Sequence, residues 1–372
     1  MRVAFRVDAS TRIGSGHVMR CMALADALSR SGAECTFITR AHTGNMDQRI
    51  REAGYRVLTL GPPQRDTTHA GESDYASWLD VTQGVDAHAT QEILNGSPAD
   101  CVIVDHYALD RTWESRISEG RVCIAVIDDL ANRPHACNML IDHNWFPDPE
   151  LRYRDRVGPD CTTCLGPRYA LIRTPYREYR SPGPPWRKGI SRILVYFGGV
   201  DPDDLTGATL QALNRPEFTD IQVDLVIGAS NPYRDALEQQ VARRPHSVVH
   251  GPRPHLADLM ARADVAIGAG GTTTWERCAI GLPGIVIAIA HNQCELSSAL
   301  HSQGAIRYLG HVSDVPDAAA AIAATLSELR SDPAASQAMR EAAWCMVDGY
   351  GCERVAEILW REHALFGGPE YG

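Results

Sequence analysis

The chain has 372 residues, 44% of them hydrophobic, and a formal net charge of −10. That length supports two domains of ordinary size, each with its own core; the acidic balance argues against a nucleic-acid partner, and no apolar run reaches the roughly 20 residues a membrane span requires. Charges break Met1 to Asp8 too often for an export signal, so a cytoplasmic protein with reduced thiols at its eleven cysteines is expected, with no membrane association.

Short β-rich runs alternate with helical stretches from the start, with candidate strands at Arg2–Val7, Glu34–Thr39, Arg56–Thr59, Cys101–Val104, Val122–Ile127 and Met139–Ile141. Between the first two, Val18, Met22, Ala25 and Leu28 repeat at helical spacing and Gly32 offers a stop. This is βαβ logic, which predicts a parallel sheet with helices on both faces. Cys161-Thr162-Thr163-Cys164 is a CxxC pair with no second pair at zinc spacing, and it reads as two ordinary thiols in a loop. The proline-rich stretch Arg180 to Gly189 marks a linker. The pattern then restarts, with strands at Arg192–Phe197, Gln222–Ile227, Ser247–Val249, Val265–Ile267 and Gly284–Ala288, and a helical tail runs from Ser327 to Phe366. The expected architecture is α/β, with Rossmann-like domains over residues 1–182 and 187–345 and a tail over 346–372. In such sheets ligands sit beyond the carboxyl ends of the strands, and two domains facing each other across a cleft would pool those loops.

Several chemistries are excluded by what is missing. Lys188 is the only lysine, so there is no Walker lysine, and a pyridoxal Schiff base is not expected. GxSxG and HExxH are absent. Gly14 and Gly16 allow a tight turn after the first strand, but Met19 stands where the dinucleotide fingerprint needs its third glycine, so no nicotinamide cofactor is expected. His17 falls in the first helical turn, where the macrodipole favours a neutral imidazole fit to act as a base; the bland alternative is a histidine satisfied by solvent. Asp105-His106-Tyr107, Asp128-Asp129 and Asp142-His143-Asn144 each follow an apolar strand, opening towards the same face as His17. In the second half Gly198 and Gly199 follow a strand, and Gly268 to Glu276 forms a strand, glycine turn and helix start. Amides there, with Gly270, Gly271 and the hydroxyls of Thr272 and Thr273, make a diphosphate cradle, and Glu276 is placed for ribose hydroxyls. A capping-box-like helix start is the plain alternative. His291-Asn292-Gln293 sit at the outlet of the strand that follows.

These residues carry a resemblance. Phe5 to Ser10, Ile13 to His17, Arg20-Cys21, Val104 to Tyr107, Asp128-Asp129 and Tyr169 to Arg173 resemble the UDP-2,4-diacetamido-2,4,6-trideoxy-β-L-altropyranose hydrolases of pseudaminic acid biosynthesis. Phe197 to Asp201, the Gly270 to Glu276 turn and Asn292-Gln293 continue the match. The second half also looks like the N-acetylglucosaminyltransferase that makes lipid II, and both families share the glycosyltransferase B fold. The resemblance implies a UDP-sugar substrate, with His17 activating water at the anomeric carbon, inversion, departure of UDP, and neither metal nor cofactor. It implies that Tyr107 lies near the sugar and that Glu276 holds the ribose, and it adds Asp8 to the catalytic set and Ser10, Gly14, Gly16, Arg20, Asp105, Asn292 and Gln293 to the substrate contacts. The polar stretch Gly61 to Val85 and the tail beyond Glu328 depart from the family, and the tail is too short for a fused acetyltransferase domain. A glycosyltransferase using His17 on an acceptor hydroxyl and a silent nucleotide-sugar binder are the rival readings.

Overall fold

Val102-Ile103-Val104 and Ile124-Ala125-Val126 are buried without alternation, as strands covered on both faces must be. The structure, a computed structural model, describes residues 1–62, 75–118 and 122–365. The chain divides into two units, Met1–Arg173 with Tyr350–Gly372 and Thr174–Gly349.

The first unit holds β1 (Arg2–Val7), β2 (Glu34–Arg40), β3 (Arg56–Leu60), β4 (Cys101–Asp105), β5 (Cys123–Ile127), β6 (Met139–Asp142) and β7 (Thr162–Leu165). They form one parallel sheet in the order β3-β2-β1-β4-β5-β6-β7. The order reverses between β1 and β4, which is where an open α/β sheet binds its ligand. The Asp8–His17 turn leaves β1 at that point, and Asp105-His106-Tyr107 leaves β4. Alternate residues of β1 face opposite layers. Val3, Phe5 and Val7 pack with Val18, Met22, Ala25 and Leu28 of the helix Gly16–Arg30, whereas Ala4 faces the layer containing Leu94 and Trp113.

The second unit holds β8 (Arg192–Tyr196), β9 (Gln222–Val226), β10 (Ser247–His250), β11 (Val265–Gly268), β12 (Gly284–Ala288) and β13 (Ile306–His311), in the parallel order β10-β9-β8-β11-β12-β13. Its reversal lies between β8 and β11. The two glycine turns leave those strands.

Four differences from the sequence reading have physical causes. β7 and β13 went unpredicted because both are edge strands: one has only four residues, and the other follows a register shift opposite Val286 and Ile287. The tail is three helices, Ala318–Ser331, Pro333–Met346 and Gly351–Leu365, the first break falling at Asp332, which caps the second helix. The last of them is no appendage, because Val355, Ala356 and Leu359 enter the first unit's core beside Leu24 and Leu28. Burying Val355 or Leu359 contributes about 1.5–3 kcal/mol each. The proline-rich stretch is strapped to the second unit, with Arg180 donating to the carbonyls of Ala279 and Trp344 and Arg187 to that of Ala261. Of the Gly61 to Val85 stretch, residues 63–74 lie outside the described residues, as does the tail beyond residue 365.

Candidate active site

After β1 the chain makes a closed turn. The Gly14 amide donates to the Ser10 carbonyl at 2.9 Å, and the Ser10 hydroxyl accepts from the amides of Ile13 at 2.9 Å and Arg12 at 3.2 Å. Gly14 has φ +79°, a conformation L side chains adopt at a cost. The turn delivers His17 into the first turn of its helix.

Three strand ends then converge on that histidine. His17 Nδ1 lies 2.6 Å from Asp105 Oδ1. At that separation the proton belongs to Nδ1, which leaves the Nε2 lone pair as the ring's basic site. Arg20, one turn along the helix, grips the same carboxylate with Nε at 2.6 Å and a terminal nitrogen at 2.7 Å, and donates to Asp129 at 2.8 Å. The Arg20 nitrogen 3.2 Å from His17 Nδ1 is a neighbour and not a donor to it, since that nitrogen carries its own proton. Burial alone would raise the Asp105 carboxyl, but Arg20 and then His17 outweigh it and hold it well below the carboxylate range. Tyr107 donates to Asp129 at 2.6 Å, and burial followed by that carboxylate's charge pushes its phenol well up. Its ring stands edge-on to His17 at 4.6 Å, and Trp78 stacks on Tyr107 at 5.4 Å with Tyr75 beside both. Arg12 of the glycine turn bonds Ser77 between them. Tyr75 and Trp78 were not singled out in sequence, because they lie in a stretch that only the fold brings to His17.

Asp8 requires a correction. The sequence set it among the catalytic groups, yet its side chain is wholly buried, with Arg6 bound through both oxygens at 2.7 and 2.9 Å, the Arg40 amide at 2.6 Å and His106 at 3.2 Å. Burial opposes its charge, and Arg6 followed by the two histidines His106 and His42 prevails. Asp86, bound by Arg6, Arg40 and Trp113, completes the network. Asp8 therefore anchors the foot of the turn, with both carboxylate oxygens already engaged by protein groups. Asp128 is likewise internal, held by Arg133 at 2.7 Å and by Tyr153. The Tyr153 hydroxyl oxygen also lies 2.9 Å from Asp142 Oδ2. Burial and then the charge of Asp129 push the Asp142 carboxyl up to about 8, so it stays protonated at neutral pH.

In the second unit Gly198 has φ +97°, and the carbonyl of Gly199 passes so close to Gly228 that a Cβ there would sit 2.1 Å away. After β11, Gly270 is held by close packing. Its amide donates to Gln293 Oε1 at 3.2 Å, and a Cβ would meet Ser297 Oγ at 2.4 Å. Gln293 also accepts from the Ile289 amide at 3.1 Å, so its Oε1 braces the turn. Asn292 is exposed beside it. The amides of Gly271, Thr272 and Thr273 have no hydrogen bond among the described residues; they are the orphan donors that open the helix Thr273–Ile280. Glu276 is half-buried one turn on, beside Tyr176 and Tyr196, whose hydroxyls burial and then the glutamate's charge push up. Arg277, unremarked in sequence, is buried beneath the turn and donates to the Ala269 carbonyl at 3.2 Å and to Thr274 at 2.9 Å. Burial lowers it to about 10, and it makes no ion pair among the described residues. Among the described residues no group of three His, Cys, Asp or Glu is arranged for a metal, and no helix is long and apolar enough to cross a membrane.

No family model matches the chain. It is 29% identical over 211 residues to the spore coat polysaccharide biosynthesis protein SpsG of Bacillus subtilis, covering 56% of the chain and 61% of that protein. An uncharacterized protein of Methanocaldococcus jannaschii is 26% identical over 77% of the chain and 55% of its own length. The chain thus spans little more than half of these two relatives. The UDP-2,4-diacetamido-2,4,6-trideoxy-β-L-altropyranose hydrolase of Campylobacter jejuni is 26% identical over 64% of the chain and 74% of that enzyme, so the resemblance carried by the motifs extends beyond them. Among solved structures, Acinetobacter baumannii MurG superposes with a TM-score of 0.66 at 12% identity, over 97% of this chain and 99% of that one. The calicheamicin glycosyltransferase CalG4 gives 0.65 at 16% identity over 98% of each, and S. aureus MnaA with UDP gives 0.63 at 12% identity over all of both. The fold is that of the glycosyltransferase B proteins, two parallel-sheet α/β domains.

Proposed function

We propose that this chain hydrolyses the anomeric C–O bond of a UDP-linked 2,4-diacetamido-2,4,6-trideoxyhexose, giving UDP and the free sugar. The observation that carries the reading is the His17–Asp105 pair at 2.6 Å, which leaves Nε2 basic at a switch-point strand end. Water attacks the anomeric carbon and gives a proton to Nε2, while the C–O electron pair departs on the β-phosphate of UDP. The imidazolium formed is stabilised by Asp105, which Arg20 keeps ionised and oriented. A positioned base contributes about 10²–10⁴-fold in rate. Ser10, Gly14 and Gly16 shape the turn, and Tyr107 lines it. In the second unit, the free amides of Gly271, Thr272 and Thr273 with two threonine hydroxyls suit a diphosphate, Glu276 suits ribose hydroxyls, and Gly198-Gly199 offer backbone approach. Buried Arg277 adds positive potential under the phosphates. Support also comes from the activity named for the Campylobacter relative and from the UDP held by MnaA.

Reaction in ¹⁸O-water, with no acceptor, tests the proposal. The label should enter the sugar and not UDP; label in the phosphate would mean attack at phosphorus and would remove His17 from the anomeric carbon. The second reading, transfer to an acceptor hydroxyl by the same base, is favoured by the role named for the Bacillus relative. It predicts UDP release only when an acceptor is supplied. Binding without turnover in either setting would leave a silent binder.

A further inference from the structure

The CxxC spacing misidentifies the thiol pair that the fold builds. Cys164 lies within β7 and is wholly buried in the first unit's core. Three residues on in a strand means the opposite face, so Cys164 turns away from Cys161. What approaches Cys161 instead is Cys137, 24 positions earlier, with the two sulfurs 3.6 Å apart. Both are half-buried, while seven of the other cysteines are buried. Strand register brings their backbones together. Met139 pairs with Thr162 in the β6–β7 ladder, and the Thr162 amide donates to the Asn138 carbonyl. Cys137 and Cys161 therefore lead into neighbouring parallel strands, one step out of register. With strands about 4.8 Å apart and about 3.3 Å per residue, their Cα atoms fall about 5.8 Å apart, inside the range disulfides use.

The surroundings hold the pair ready. The loop carrying Cys137 is pinned on both sides, by His135 and the Ala136 amide on Glu114 and by Asn138 on Ile124. Cys161 lines a surface pocket with Tyr153, Arg154 and Thr163, through which a small reagent reaches it. The two thiols share one hydrogen bond that either sulfur can donate, and the charge of nearby His135 favours a thiolate at Cys161 against its burial. Cys161 lines the pocket and Cys137 does not, so Cys161 serves as the nucleophile and Cys137 as its resolving partner.

We infer that Cys137 and Cys161 are a reversible disulfide-forming site for low-molecular-weight disulfides, built by the pairing of β6 with β7. The Cys161 thiolate attacks one sulfur of the small disulfide and expels one thiol, leaving a mixed disulfide. Cys137 then attacks the Cys161 sulfur, loses its proton and expels the second thiol. Two protein thiols are oxidised and one small disulfide is reduced to two thiols. The new bond staples the loop before β6 to the edge strand β7, and it stands independently of the hydrolase reading.

The test is incubation of the intact protein with oxidised glutathione, followed by unreduced proteolysis and mass spectrometry. A peptide joining Cys137 to Cys161 is expected, removed by dithiothreitol, with a higher melting temperature before that removal. The Cys137→Ser protein should accumulate glutathione on Cys161, and Cys164→Ser should cross-link as the unaltered chain does. Cys345, the exposed cysteine, serves as the control for plain accessibility. A Cys161–Cys164 bond overturns the inference, as does adduct formation led by Cys345 with no internal cross-link.

Discussion

Asp105→Asn probes the arrangement at its joint. The carboxylate holds His17 Nδ1 at 2.6 Å and the Arg20 fork at 2.6 and 2.7 Å, and the amide keeps its shape while removing its charge. A hydrogen bond to a charged group is worth about 1.5–3 kcal/mol. At about 1.36 kcal/mol per decade, its loss from the imidazolium of the transition state lowers kcat about 10–150-fold. If the amide NH₂ faces Nδ1, it also selects the wrong tautomer, which drives the loss towards the upper end. Stability falls as well, because breaking a buried pair costs about 3–5 kcal/mol, offset in part by Asp129, which still holds Arg20 at 2.8 Å. The assay is a double-mutant cycle in kcat with His17→Gln, with melting and UDP calorimetry on each protein. Asp105 acts through His17, so once His17 is gone its replacement should cost little more. Additive losses in folded proteins with unchanged UDP affinity would refute the dyad.

Glu276→Ala should weaken UDP binding by about 1.5–3 kcal/mol, the worth of a charge-assisted hydrogen bond; unchanged affinity by calorimetry removes Glu276 from the ribose site. Turnover should persist in EDTA, and loss on chelation with recovery on adding magnesium or manganese would mean the chemistry is misassigned. Asp142→Asn tests the protonated carboxyl. Its folded value near 8 lies above the ordinary carboxylate value of 3.8, so between those pH values the unfolded chain has released a proton that the folded chain keeps. The unaltered protein should therefore lose stability relative to the variant as pH rises through that window, by up to about 1.4 kcal/mol per unit. Parallel melting curves from pH 5 to 8 would contradict this.

Sequence alone determined the features that depend on neighbours in the chain. Apolar runs ending in Asp105, Asp128 and Asp142 marked strand ends because a doubly covered strand must be apolar throughout and can turn polar only where it leaves the sheet. Gly14 and Gly198 marked turns because positive φ is a local constraint, and both domains were legible from the alternation of periods. Pairing was not legible. His17 and Asp105 lie 88 residues apart, and Gly270 and Gln293 lie 23 apart; each is joined by strand order, which no local pattern encodes. Asp8 entered the catalytic set through the resemblance; its burial beneath the helix carrying Asp86, in contact with Arg6 and Arg40, is a tertiary fact. Cys161 and Cys164 read as two ordinary thiols in a loop, whereas the fold puts Cys164 in a buried strand and brings Cys137 to Cys161. The chain determines which residues can end a strand or turn a corner, while burial and register decide which of them meet, because the interaction energies involved arise only when separate segments exclude water together.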